Sequence, residues 1–95
     1  MKITKVEASP KKNKRFRAFL DDGSVYDFGL LGGRTYLEDR THNERLNYWK
    51  RHLGNKREKE LIETLTISPA TLSAFILWGE TRDLDKNVKK LNDLL

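Results

Sequence analysis

Between Ser68 and Gly79 the chain reads Ser68-Pro69-Ala70-Thr71-Leu72-Ser73-Ala74-Phe75-Ile76-Leu77-Trp78-Gly79, without a charge in a sequence whose residues are 35% charged. Both ends of a helix are marked. The Ser68 hydroxyl can accept the first free backbone N–H groups, Pro69 suits the first helical position, and Gly79 can take a left-handed stop. Leu72, Phe75, Ile76, Leu77 and Trp78 then cover most of the circumference, the pattern of a helix enclosed by other elements. The stretch is too short to cross a bilayer. It predicts the core helix of a small domain, against which the other segments must pack.

A chain of 95 residues fits one domain, 1–95, with a modest core. It has no cysteine, which excludes disulfides, thiolate zinc sites and thiol catalysis and fits a reducing cytoplasm or nucleus. No N-terminal apolar run precedes a cleavage site and no stretch reaches membrane-spanning length, so a soluble, non-secreted protein with no membrane partner is expected. The net charge of +5 is unevenly spread. Residues 1–20 hold seven Lys/Arg against Glu7, and residues 45–60 hold six against Glu58 and Glu60, whereas residues 21–44 hold two against six acids. Two basic blocks of this kind either attract a phosphate polymer or only keep the chain soluble.

The expected architecture is α+β: an N-terminal three-stranded antiparallel meander over 1–29, a Gly-rich connection over 30–40, and a compact bundle of about four short helices over 41–95. Ile3 to Ala8, Arg15 to Leu20 and Ser24 to Phe28 read as strands, the last two joined across Asp22-Gly23, where a tight turn needs positive φ. Pairing Leu20 with Val25 places Phe16, Ala18, Leu20 and Val25 on one face and Arg15, Arg17, Phe19, Tyr26 and Phe28 on the other. With apolar groups on both faces, the sheet is either sandwiched or meets a partner. Aromatics beside arginines suit base stacking and phosphate contact, unless Phe19, Tyr26 and Phe28 form the core face with the arginines at its rim. Gly29-Leu30-Leu31-Gly32-Gly33-Arg34 permits an ordinary linker or an anion cradle beside Arg34. Its spacing is not that of a P-loop. Thr35 to Arg40 should turn and tuck Tyr36 and Leu37 against the core.

Thr41 and Glu44 have the spacing of a capping box, so a helix should start at His42, with Leu46, Trp49 and Leu53 as its apolar stripe and Gly54 as its stop. Its other side is basic. Arg45, Lys50, Arg51 and His52, continued by Lys56 and Arg57, form either a strip for a nucleic-acid backbone, with Tyr48 able to stack, or a solvated face. Asn55 should cap a helix to residue 65, with Leu61, Ile62 and Leu65 inward and Arg57–Glu60 or Lys59–Glu63 pairing across one turn. The short link to the helix at 69 suggests a helix-turn-helix only superficially, because the second helix is too apolar to lie in a groove. Asp83 caps a last helix whose Leu84, Val88, Leu91 and Leu95 close the core or meet a copy in a homodimer.

Several stretches carry a family likeness: Tyr26-Asp27-Phe28-Gly29, Gly33 with Thr35-Tyr36, Tyr48-Trp49-Lys50-Arg51-His52, Ser68-Pro69-Ala70 with Leu72-Ser73, and Leu77-Trp78-Gly79 followed by Leu84 and Asn87. In order and spacing, over about residues 14–88, the chain resembles an uncharacterised family of small basic proteins encoded by giant nucleocytoplasmic DNA viruses and other large aquatic viruses. The resemblance implies a viral origin and a place in the virion or in the cytoplasm or nucleus of the infected cell. It supplies no reaction.

No catalytic constellation is present, so no enzyme and no cofactor are expected. His42 and His52 stand ten residues apart on one helix, too far to share a metal. Two functions remain. The first is binding of nucleic acid, DNA above all, largely without sequence specificity, through Lys12, Lys14, Arg15, Arg17, Tyr26, Arg34, Arg45, Tyr48, Lys50, Arg51, His52, Lys56 and Arg57. It requires these bases, with Lys11, to converge on one surface. The second is a minor structural or protein-interaction component of the particle, with viral structural proteins as partners, which requires an exposed apolar patch.

Overall fold

The computed structural model describes all 95 residues. Strands β1 (Ile3–Ala8), β2 (Lys14–Leu20) and β3 (Val25–Leu30) are followed by α1 (His42–Leu53), α2 (Lys56–Glu63), α3 (Pro69–Leu72) running directly into a π-helical turn (Ser73–Leu77), and α4 (Leu84–Leu94). The sheet has the order β1-β2-β3 with both pairs antiparallel. The α+β architecture is therefore the expected one, with β3 running two residues further than the sequence suggests. No helix is long and apolar enough to cross a membrane.

The β2–β3 turn sets a register one residue away from the expected one. Leu20 N–H donates to the Ser24 carbonyl at 3.0 Å and Gly23 N–H to the Leu20 carbonyl at 3.1 Å. The loop is thus the three residues Asp21-Asp22-Gly23, with Gly23 left-handed at φ +89. Phe19 consequently faces Val25, Ala18 faces Tyr26, and Phe16 faces Phe28. Because a shift of one residue exchanges faces, Tyr26 and Phe28 join Phe16, Ala18 and Leu20 under the helices. Val25 moves to the open face with Arg17, Phe19 and Asp27, where it is 43% exposed. The sheet is covered on one side only.

The uncharged stretch is the core helix. Leu72, Ile76 and Leu77 are buried against Ile3, Ala18, Leu20, Phe28 and Leu91, and the Ser68 hydroxyl caps the helix by accepting from Thr71 N–H at 3.2 Å. It departs from expectation twice. Its second half winds as a π-helical turn, in which Trp78 N–H reaches back five residues to the Ser73 carbonyl at 3.1 Å. And Gly79 is not left-handed; it is small because a Cβ there would lie 2.3 Å from the Phe75 carbonyl oxygen and 2.8 Å from Asn87 Cγ.

Asn87 accounts for that crowding. Its buried amide donates to the carbonyls of Ile76 (2.9 Å) and Thr81 (2.8 Å) and accepts from the Thr81 N–H (3.1 Å) and hydroxyl (2.7 Å). The four bonds satisfy a carbonyl at the end of the core helix and tie it to α4. Asp83 caps α4 as expected, and α4 closes the core of its own chain through Leu91, with Leu84, Val88 and Leu95 beside it. The Asn92 amide exchanges hydrogen bonds with the backbone of Ile3 at 2.8 and 2.9 Å, covering part of the free edge of β1.

Helix α1 begins with the expected capping box of Thr41 and Glu44, yet it packs differently. It buries no residue completely: of the stripe, Leu46 is 48% exposed, and Trp49 and Leu53 are only half-buried. The helix docks on the end of the core helix, where carbonyls without helical partners call for donors rather than leucines. Trp49 indole N–H donates to the Trp78 carbonyl at 2.8 Å, and Arg45 Nε to the carbonyls of Trp78 (3.1 Å) and Gly79 (2.7 Å). Trp49 also meets Phe75 edge-on, centroids 5.2 Å apart. Helix α2 starts at the Asn55 cap and stops at Glu63, earlier than residue 65. Leu65 there is left-handed at φ +53, closing the end through Leu65 N–H to the Ile62 carbonyl and Thr66 N–H to the Leu61 carbonyl. Lys59 pairs with Glu63 at 3.7 Å; Arg57 and Glu60 do not pair.

Candidate nucleic-acid interface

A cation serves a ligand only where no carboxylate or carbonyl of its own chain already holds it, and several of the predicted bases are held. Arg17 donates to both oxygens of Asp27 at 3.0 and 3.1 Å on the open face of the sheet. Asp27 also accepts from the Ser9 hydroxyl at 2.5 Å and lies 3.6 Å from Lys11. The bonds from Arg17, then Ser9, bring its carboxyl down to about 2. Arg15 pairs with Glu38 and donates to Thr35 Oγ1 at 3.4 Å, which fastens β2 to the connection that follows β3. Burial alone would raise the Glu38 carboxyl, but hydrogen bonds from Thr35 and Arg15 outweigh it and hold it below its ordinary value.

The predicted bases therefore do not converge on one surface. Arg45 is spent on the Trp78 and Gly79 carbonyls. Tyr26 packs beside the core, on the covered face of the sheet. Lys50, two residues beyond Tyr48, lies roughly 200° round α1 from it and points away. Lys12, between β1 and β2, and Lys56 and Arg57, at the start of α2, are exposed but line none of the recesses below.

Lys14, Arg34, Tyr48, Arg51 and His52 do come together, along a groove between α1 and the segment that carries the end of β3 and the Gly-rich loop. At one end Arg34, Arg40 and Arg51 surround a cleft of about 380 Å³, with Asn47 and the Tyr48–Trp78 pair in its lining. A middle recess of about 260 Å³ lies between Gly29-Leu30, Gly33-Arg34 and Ser73. The far end, about 530 Å³, is lined by Asn13, Lys14, His52 and Glu58. Tyr48 borders all three.

Tyr48 does not stack on a base as the sequence suggested. Its ring lies parallel to Trp78, centroids 4.5 Å apart, and the His52 ring stands 4.1 Å from it. The Arg51 guanidinium stands over the same ring, 6.0 Å from its centroid, so the ring is crowded by its own chain. His52 is held in turn, Nδ1 lying 2.5 Å from Glu58 Oε2, so it is a packing residue. What Tyr48 offers the groove is its hydroxyl. Burial pushes that phenol up to about 12, the charge of Glu58 adding to the effect and Arg51 opposing it, so it remains a donor at physiological pH.

The three arginines of the cleft differ. Arg34 forms a two-pronged pair with Asp39, both largely exposed, and Arg40 pairs with Glu44 at 2.9 Å. The Thr41 N–H, with Arg40, holds the Glu44 carboxyl below its ordinary range. Arg51 has no carboxylate partner, nor has Lys14. The Gly-rich loop is a turn rather than an anion cradle: Gly33 N–H donates to the Leu30 carbonyl and Leu31 N–H to the Asn13 carbonyl. Arg82 steadies the residues before α1, donating to the carbonyls of Tyr36 and Arg40, each at 2.8 Å, with its guanidinium 4.1 Å from the Tyr36 ring centroid.

Sequence reasoning missed Arg40, Asn47, Ser73 and Trp78. Asn47 was within reach of it, since Asn47 and Arg51 are one turn apart and so share a face of α1. Residues 4–52 match a family model described as a family of unknown function, DUF5754, and no curated protein and no solved structure matches the chain. The matched stretch holds the three strands save Ile3, the Gly-rich loop and nearly all of α1, hence most of both walls of the groove but not Glu58, Ser73 or Trp78. Matching that model over more than half of its 95 residues, the chain belongs to DUF5754.

Proposed function

We propose that this is a non-enzymatic nucleic-acid-binding protein that holds its ligand in the groove beside α1, largely without sequence specificity. The broad basic surface that the sequence called for does not form, and the reading is narrowed to one observation: Arg51 and Lys14, both without carboxylate partners, stand at the two ends of a groove whose cleft also holds Arg34 and Arg40. The likeness to small basic proteins of giant nucleocytoplasmic DNA viruses supports a viral origin and action in the virion or infected cell, with DNA as the abundant polyanion. The test is fluorescence anisotropy with labelled DNA at two salt concentrations. Affinity should fall steeply as salt rises. Arg51→Glu should weaken binding more than about tenfold, as expected when a charge-assisted contact is reversed, and Lys50→Glu should change it little. Equal affinity of both variants and the parent would remove the groove from the proposal.

A second reading, a minor structural or protein-interaction component of the particle, is favoured by one feature. An apolar recess of about 550 Å³ lies between Met1, Tyr26, Leu65, Ile67, Leu94 and Leu95, with Leu94 56% exposed. Light scattering that finds association dispersed by Leu94→Glu would support it. A monomer would count against it.

A further inference from the structure

The lining of the groove is weighted towards cations. The Asn47 amide, the Tyr48 and Ser73 hydroxyls, the Trp78 indole N–H and the Arg51 guanidinium border its recesses and make no hydrogen bond within the chain. The carboxylates on the lining are Glu44, whose oxygens are taken by Arg40 and the Thr41 N–H, and Glu58, one of whose oxygens is held by His52. Charged donors thus outweigh acceptors along the groove: Lys14, Arg34, Arg40 and Arg51 stand against two carboxylates that already hold partners, the other acceptors being neutral amide and hydroxyl oxygens. Base edges mix the two kinds of group, whereas phosphates present acceptors alone. Base capture by stacking on Tyr48 is also disfavoured, since Trp78, His52 and the Arg51 guanidinium already crowd its ring.

Shape adds a second constraint. Proteins that read a duplex push a helix or a β-ribbon into its grooves. Here the relation is inverted, because Arg51 and Tyr48 border recesses in the protein of about 260 to 530 Å³, room for a sugar-phosphate segment and not for the body of a duplex. Resting on the reading of this groove as a nucleic-acid site, we infer that its ligand is a single strand seated backbone-first. Its phosphates lie against Arg34, Arg40 and Arg51 at one end and Lys14 at the other, and its bases turn to solvent. Asp39 and Glu44 give up part of their hold on Arg34 and Arg40 as phosphates arrive.

The experiment is fluorescence anisotropy with labelled oligothymidylate and oligodeoxycytidylate of equal length, and a hairpin duplex of the same phosphate count, at low salt. The two single strands should bind within about threefold of each other, because bases that face solvent are not read. The duplex should bind at least about tenfold more weakly. Arg51→Ala should cost about tenfold and Asn47→Ala a few-fold on the single strands, in line with the loss of a charged and a neutral hydrogen bond. Lys50→Ala should cost nothing, and circular dichroism should report the same fold in all three variants. Duplex binding as tight as single-strand binding, and weakened by Arg51→Ala, would overturn the choice of strand and leave the groove standing. A preference of more than about tenfold between thymine and cytosine would overturn the backbone-first seating. Binding of neither form would overturn the nucleic-acid reading itself.

Discussion

The open face of the sheet and the groove beside α1 are built from the same kinds of residue and end in opposite states. On the sheet, Lys5 meets Glu7 at 2.8 Å, and Arg17, Ser9 and Lys11 gather on Asp27. In the groove, Arg51 and Lys14 meet no carboxylate. Antiparallel pairing brings opposed side chains within about 5 Å, so register alone delivers Asp27 to Arg17. The helical neighbours of Arg51 are Asn47, Tyr48, Gly54 and Asn55, one turn either way, and none is acidic. A charge excess summed over a segment therefore does not say which cations remain available.

The contrast can be broken most forcefully by loosening α1. Asn87→Ala should cost about 2–4 kcal/mol in chemical denaturation, since it strands buried partners of a four-bond network and frees the end of the core helix on which α1 docks. Arg45→Ala should cost about 2 kcal/mol, the worth of charged hydrogen bonds to two carbonyls. If Arg45→Ala left stability unchanged, Arg45 would belong with the free cations. On the sheet side, the folded Asp27 carboxyl sits near 2, below its unfolded value of about 4. Its contribution to stability is thus present above pH 4 and lost as pH falls from 4 towards 2. Thermal melts of Asp27→Asn should lack that part of the acid limb, and an unaltered limb would mean that Arg17 is not held. In the groove, Arg51→Ala should change stability by less than about 0.5 kcal/mol while weakening DNA binding. Asp39→Asn, which releases Arg34, should tighten DNA binding a few-fold in the anisotropy assay.

Local signals were legible in the sequence. The capping residues Thr41, Asn55, Ser68 and Asp83 all cap the helices they were expected to start, because a cap depends on residues within one turn. The sheet register was not legible, since Asp22-Gly23 serves a two-residue or a three-residue loop and the choice exchanges the faces. The seat of α1 was hidden for another reason: the Trp78 and Gly79 carbonyls that receive Arg45 and Trp49 are backbone groups, which every residue carries. Leu65 likewise takes a left-handed position where glycine is usual, at a cost of roughly 1–2 kcal/mol, and its side chain packs against the core. Of the candidate site, the cluster of Tyr48, Arg51 and His52 could be read from helical spacing. Whether Arg15 and Arg17 were free could not, because Glu38 and Asp27 reach them only through the tertiary fold.

The π-helical turn at Ser73–Leu77 holds one residue more than regular winding would. Deleting a single residue there would rewind the core helix and swing the Trp78 peptide by roughly 100°. Its carbonyl would leave Arg45 and Trp49, and α1 would lose its mooring. The clearance between the two walls is thus gauged by one unit of chain length, so trimming or lengthening this segment would recalibrate what fits between them while every side chain kept its identity.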